Sequence, residues 1–162
     1  VRTVLIAGCG GEGQQWKDQG WLVVRLDIDP QTSPDIVGDM TNLGDVGPFD
    51  AVSCNNALEH LYPHDVPKAL SEFYRVLKPG GMAIIQVPDL EDVKATDEII
   101  PEIGMSGLHL LYGDPTLLEN FPYMAHHCGF VSDTLKSAMD RAGFSTITKR
   151  LTCYQLIGIG TK

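Results

Sequence analysis

Val4-Leu5-Ile6-Ala7 runs without polar alternation straight into Gly8-Cys9-Gly10-Gly11-Glu12-Gly13. A strand buried on both faces reads that way, and such strands belong to parallel sheets covered by helices. The glycine-rich turn lets a ligand approach the main chain, and the helix beyond it offers free N–H groups. The next apolar run, Trp21 to Leu26, ends at Asp27, where a carboxylate can receive ribose hydroxyls. Gly8, Gly10 and Gly13 keep the spacing GxGxxG that nicotinamide-dinucleotide folds also use. A nucleotide site and a mere tight turn are both compatible with these glycines.

The remaining order is that of an α/β chain. A short helical piece over about Gln14 to Gln19 joins the first two strands. Between Asp29 and Asp39 only Ile36-Val37 can be a strand, because Pro30, Ser33, Pro34 and Gly38 leave no room for a full crossover helix. Phe49 to Ser53 reads as the fourth strand and delivers Asn55 and Asn56 to its carboxyl end. From Asp65 to Leu77, Val66, Ala69, Leu70, Phe73, Val76 and Leu77 recur at spacings of three and four, which predicts a helix with one core-facing stripe. Lys78-Pro79-Gly80-Gly81 is read as its stop and Met82 to Val87 as the fifth strand. An acidic helix is expected near Leu90 to Ile99, inside an otherwise irregular stretch of the kind that forms lids or binding loops. The last helix is expected over Ser132 to Ala142 with Ser132 as N-cap, followed by strands at about Ser145–Arg150 and Tyr154–Gly160.

Charge and cysteines narrow the partners. Twenty-one acidic against twelve basic residues give a formal charge of −9, a field that repels phosphate, so neither nucleic acid nor an anionic membrane is expected as a partner. Cys9, Cys54, Cys128 and Cys153 form no CxxC pair and are read as reduced thiols of a cytoplasmic protein. The apolar start is too short for the core of a signal peptide, and no run approaches the roughly 20 residues of a membrane span.

Glu12 bears on which nucleotide the loop would take. A dinucleotide brings two phosphate charges, whereas S-adenosylmethionine brings a sulfonium and an ammonium. No Lys or Arg between Arg2 and Lys17 offsets repulsion between Glu12 and a pyrophosphate, so the carboxylate suits the cation unless it points into water. Asp39, after Gly38, can receive the exocyclic amine of adenine or serve as a turn residue.

The succession Val4–Gly10, Leu26-Asp27-Ile28-Asp29-Pro30, Gly38-Asp39, Phe49-Asp50-Ala51-Val52, Ala57-Leu58-Glu59-His60-Leu61 and Tyr74–Gly81 resembles the class I S-adenosylmethionine-dependent methyltransferases over about residues 3–87. Leu77-Lys78-Pro79-Gly80-Gly81 after a helix is its most specific part. The resemblance implies a Rossmann-like α/β fold: a mostly parallel central sheet with an antiparallel C-terminal strand, helices on both faces, and some crossover helices shortened or missing. One domain over 1–162 is expected, with a cofactor-binding half at 1–88, a lid or acceptor segment at 89–131, and a last helix and strand pair at 132–162. By the same resemblance Gly8, Cys9 and Gly10 border the methionyl part of the cofactor. Asp27 holds the ribose, Ile28 packs on adenine, Asp39 with Met40 caps the amine edge, and Asn55 faces the methionyl ammonium.

Three departures stand out: Ile6 where the family usually has an acidic residue, Glu12 where its third glycine would fall, and Gly13 one position late. His60, just past the fourth strand, is the candidate base, needed only if the acceptor must lose a proton; a purely local structural role is the alternative. His126 and His127 beside Cys128 are not read as a metal site, because neighbours on an extended segment point opposite ways and no second ligand pair is apparent; they are expected to contact the acceptor or to anchor the loop before the last helix, and His109, Tyr112, Phe121 and Tyr123 to line a pocket or close the small core. The expected activity is methyl transfer from S-adenosylmethionine to a small or polar acceptor. A methyltransferase-like module without turnover and a nicotinamide-dependent oxidoreductase are the alternatives. So abridged a domain also has surface that a second copy of the chain could cover.

Overall fold

The computed structural model describes residues 1–162. Its strands are β1 (Thr3–Ala7), β2 (Leu22–Asp27), β3 (Ile36–Val37), β4 (Phe49–Asn55), β5 (Leu77–Pro88), β6 (Ile99–Ile100), β7 (Met105–Ser106), β8 (Ser145–Thr152) and β9 (Gln155–Thr161). The helices are α1 (Gln14–Asp18), α2 (Val66–Val76), α3 (Gly107–Tyr112), α4 (Pro115–Leu118) and α5 (Ser132–Arg141). Seven strands form one sheet in the order β3-β2-β1-β4-β5-β9-β8. The first five are parallel, and β9 runs antiparallel between β5 and β8. The chain builds outward from β1 to β3, then returns to β4 on the other side of β1. Ligands of open parallel sheets lie at such a reversal, outside the carboxyl ends of the strands.

Period-two alternation sends each strand's side chains to two different layers. Leu5 and Ala7 of β1, Val52 and Cys54 of β4, and Ala83, Ile85 and Val87 of β5 join a core of 23 buried residues beneath α2 and α5. Val4, Ile6, Cys9 and Ala51 form a smaller cluster on the opposite face, covered by Trp16 of α1 and by Trp21. Ile6, the first departure from the family pattern, is therefore a packing residue of this second layer. Gly158 and Gly160 let α5 sit close on β9: a Cβ there would stand 2.6 Å from the Met139 sulfur and 2.8 Å from Phe144.

Several expectations need correction. No acidic helix forms over Leu90–Ile99. Buried Asp89 accepts the Glu91 N–H (3.1 Å) and starts a turn, while Arg150 draws in Asp89 and Asp92, so the acidic run serves a side-chain cluster. Ile99–Ile100 is instead half of a two-stranded hairpin with β7. α2 stops at Val76 as expected, but the strand resumes at Leu77, so Lys78-Pro79-Gly80-Gly81 is a bulge inside β5 and not a turn before it. Gly80 has φ +77°, pairing with β4 shifts from Phe49–Leu77 to Ala51–Met82, and the Gly80 N–H and Gly81 carbonyl bond to the Lys162 main chain. Ser132 is not the N-cap of α5; it is the first helical residue, bonded to Thr148, and the Val131 N–H is taken by the Thr134 hydroxyl. Asn55 closes β4, opposite Gln86. No helix is long and apolar enough to cross a membrane, and all four cysteines are free.

Asp50 ties three strands together. Its carboxylate accepts the Thr3 N–H (2.7 Å) and the Lys78 ammonium (2.8 Å), and these bonds, led by Lys78, hold its pKa down to about 2 from 3.8. The folded pKa lies below the unfolded one, so this stabilisation is present above about pH 4 and is lost as pH falls toward 2. Asp50→Asn is accordingly expected to melt below the parent protein at neutral pH, with the gap closing by pH 2 in paired thermal melts. A gap of constant size would contradict the assignment.

Candidate functional site

A cavity of about 330 Å³ opens at the carboxyl edge where β1 and β4 part. Gly8, Cys9, Gly10, Asp27, Ile28, Asp39, Met40, Asn55 and His60 all lie in its wall, so the structure brings together every residue singled out above. The volume falls within the range of small-molecule sites, roughly 300–1,000 Å³.

Asp27 ends β2 and is 8% exposed. One carboxylate oxygen accepts the Gly10 N–H (2.9 Å) and the other the Asp29 N–H (3.0 Å). The glycine turn and the strand end thus aim the same side chain, and each oxygen keeps a lone pair for a further donor. Ile28, next in line, leaves 56% of its surface open, a large apolar side chain at a cavity that has room for a flat ring. Asp39 accepts the Thr41 N–H (2.8 Å), which fixes its carboxylate beside Met40.

At the opposite end Asn55 donates its amide N–H to Glu12 (2.9 Å). Glu12 therefore turns inward, and the water-facing alternative does not apply. The Asn55 side-chain oxygen is buried with no partner, an acceptor waiting for a donor. A buried acceptor coupled to a carboxylate is chemistry suited to an ammonium.

Asn56 follows with φ +46°, and its N–H bonds to the Gln86 carbonyl (2.8 Å). This left-handed residue, a conformation Asn tolerates better than most, turns the chain sharply from β4 into a single 3₁₀ turn at Leu58–His60. His60 there faces the Ala125 carbonyl through Nδ1 (3.2 Å). A carbonyl only accepts, so the proton sits on Nδ1 and Nε2 keeps its lone pair. Burial lowers the pKa of His60 and keeps the ring neutral.

Of the residues that close this end, Met124 and Glu59 carry no role in the sequence reading, whereas Tyr123 is expected there to line a pocket or close the core. Tyr123 and Met124 come from the 89–131 stretch to line the cavity, and the Tyr123 hydroxyl donates to Asp29 (2.6 Å). Burial, reinforced by the Asp29 carboxylate, pushes the Tyr123 pKa up to about 12. His126 meets His60 edge to face at 4.9 Å, and its own Nδ1 faces the Leu110 carbonyl (2.9 Å). Glu59 is 2% exposed, and burial pushes its pKa up to about 8. The one signal for this group was Glu59-His60 lying just past a parallel strand; nothing in the chain announces that His126, far along it, folds back to join them.

Known proteins agree with this architecture. The profile of a family described as a methyltransferase domain matches residues 9–149. The ubiquinone/menaquinone biosynthesis C-methyltransferase of Serratia proteamaculans is 34% identical over 110 residues, 62% of this chain and 40% of that protein. The chain thus spans well under half the length of that curated relative. A crystal structure of the 1,6-didemethyltoxoflavin-N1-methyltransferase of Burkholderia thailandensis, bound to 1,6-didemethyltoxoflavin and S-adenosylhomocysteine, superposes with a TM-score of 0.71 at 17% identity, covering 99% of this chain and 70% of that one. A SAM dependent methyltransferase from Archaeoglobus fulgidus gives 0.71 at 18% identity, covering 99% and 86%. At these identities the structures speak for the fold alone. The profile match, which begins in the glycine turn and ends in β8 of a sheet with this strand order, places the chain in the methyltransferase-domain family, with the Rossmann-like α/β fold of the class I enzymes.

Proposed function

We propose that this chain transfers a methyl group from S-adenosylmethionine to a small or polar acceptor. The observation that carries the reading is that Gly10, Asp27, Asp39 and Asn55, from four separate parts of the chain, open on one cavity at the β1/β4 reversal. The residues present suit the cofactor. Asp27 has a lone pair on each oxygen for the two ribose hydroxyls, Ile28 offers an apolar face to adenine, and Asp39 beside Met40 accepts the adenine amine. Asn55, through its unpartnered buried oxygen, and Glu12, through its charge, receive the methionyl ammonium.

When bound, the cofactor supplies a methyl carbon already activated by its sulfonium. The protein then needs chiefly to orient the acceptor and exclude water, and positioning alone accounts for up to about 7–11 kcal/mol in favourable cases. His60 and Met124 belong to the cavity wall, and the acceptor is placed beside them. A neutral imidazole with a free Nε2 lone pair on that side takes part in activating the acceptor, whereas the cofactor is held elsewhere.

Titration calorimetry with S-adenosylmethionine and S-adenosylhomocysteine tests the reading directly, with one site expected for each. Release of S-adenosylhomocysteine in the presence of a panel of small oxygen, nitrogen and carbon acceptors tests turnover. His60→Gln is expected to keep cofactor affinity within about threefold while turnover drops by roughly 10²–10⁴. Absence of binding by either ligand would falsify the reading, and fluorescence quenching by NADH in its place would redirect it to a nicotinamide enzyme. Tight binding without transfer to any acceptor would leave a module without turnover.

A further inference from the structure

We propose that Glu59, His60 and His126 form a site for one divalent transition-metal ion of the zinc type, beside the cofactor cavity. One ligand-capable atom from each of the three lies within 4.8 Å of the others. Metal bonds of about 2.0–2.2 Å put the ligand atoms of a tetrahedral ion roughly 3.3–3.6 Å apart, so a contraction of about 1 Å closes the set. His126, half-buried at the edge of the group, can supply it by a small tilt of its ring that keeps the Nδ1 bond to Leu110.

Three independent features favour an ion over a plain polar cluster. Both imidazoles spend Nδ1 on a main-chain carbonyl, Ala125 for His60 and Leu110 for His126. That bond fixes the tautomer and leaves the lone pair on Nε2, the arrangement that supports metal-bound histidine. The Glu59 oxygen Oε2 is buried without a hydrogen-bond partner, and no lysine or arginine pairs with Glu59. Without an ion such a buried carboxyl is held as the neutral acid, and its unpartnered oxygen is then a ligand position from which a bound cation would displace the proton. Finally, the two segments are clamped to each other through the main chain: the N–H groups of His127 and Cys128 both donate to the Glu59 carbonyl, at 2.9 and 3.2 Å.

Two histidines and one glutamate leave a fourth position free, as in zinc sites that act on substrates and unlike closed structural ones. His60 belongs also to the cavity wall, so a ligand in that position sits where the acceptor is placed. That role for the ion rests on the methyl-transfer reading and deepens it: His60 then acts by holding the ion, and the acceptor is a molecule with an oxygen or nitrogen able to ligate it. The ion site itself does not depend on that reading.

Tag-free protein stripped with a chelator and titrated with Co²⁺, followed by visible absorption and then displaced with Zn²⁺, tests the site. One equivalent is expected, with the intense bands of a tetrahedral ion. His126→Ala and Glu59→Gln are each expected to weaken binding at least tenfold, while His127→Ala, which removes an adjacent imidazole stacked on Tyr62 at 4.1 Å, leaves it unchanged. Circular dichroism checks folding, and if Glu59→Gln does not fold the His126→Ala arm decides alone. No saturable binding by the parent protein overturns the proposal, and so does parental affinity in His126→Ala. Calorimetry with S-adenosylhomocysteine on the same samples separates the two ideas. Cofactor binding without ion binding removes the ion site only, and ion binding without cofactor binding removes the methyl-transfer reading only.

Discussion

Asp27→Ala is expected to raise the dissociation constant for S-adenosylmethionine by about 10²–10⁴-fold in titration calorimetry, with S-adenosylhomocysteine affected to the same degree. Two hydrogen bonds to a charged acceptor are lost, each worth roughly 1.5–3 kcal/mol, and a factor of ten corresponds to about 1.4 kcal/mol. Both ligands carry the same ribose, so the loss should not distinguish them. The substitution also strips the Gly10 and Asp29 N–H groups of their acceptor, which loosens the turn that shapes the cavity floor. Asp27→Asn is expected to recover little. An amide has one oxygen, so its nitrogen would meet either the Gly10 or the Asp29 N–H, donor against donor. A change below tenfold in Asp27→Ala would place the ribose elsewhere.

Asp27 was legible in the sequence because its position needs only local information: an apolar run, a strand end, a carboxylate. The same holds for Gly8, Gly10 and Asp39, each set by a strand and the turn after it. The α2 stripe was legible through its period, and all of its buried positions, from Val66 to Val76, belong to it. Tyr123 and His126 were legible as residues of the lid segment, but their partners were not, because those follow from bonds between segments far apart in the chain, such as Tyr123 to Asp29 and Cys128 to Glu59. The acidic run after Leu90 misled for a related reason. Helix propensity is a weak local preference, and one ion pair between buried Asp89 and the exposed Arg150 of β8 overrides it. The LKPGG run was legible as the end of α2, which stops at Val76, but not as a bulge within β5, because the Lys162 main chain that bonds Gly80 and Gly81 comes from the far end of the chain.

The glycines of the first turn look alike in the sequence but do different work, and substitution should separate them. Gly8 and Gly10 have φ of +69° and +47°, so an alanine at either pays the left-handed cost of roughly 1–2 kcal/mol. At Gly10 nothing lies within 4 Å of the added Cβ, and the cost ends there. At Gly8 the Cβ would collide with the Ala57 Cβ, closer than two carbons can approach, with Met40 at 3.4 Å on another side. Ala57 opens the turn that carries Glu59 and His60, so it can retreat only by moving the far end of the cavity. Overpacking of this kind adds about 1–3 kcal/mol. Gly8→Ala is therefore expected to melt roughly 2–12 °C below Gly10→Ala, since 1 kcal/mol shifts a domain of this size by about 2–4 °C. The pair Gly8→Ala with Ala57→Gly should win back most of that difference, because the carbon it collides with is gone; two mutations at contacting sites couple, whereas distant ones add. Equal melting of the two single variants, or no recovery in the pair, would mean that Gly8 is present for its backbone angle alone. In that case the close seating of the first turn against the Ala57 turn would not be what holds the two ends of the cavity at their separation.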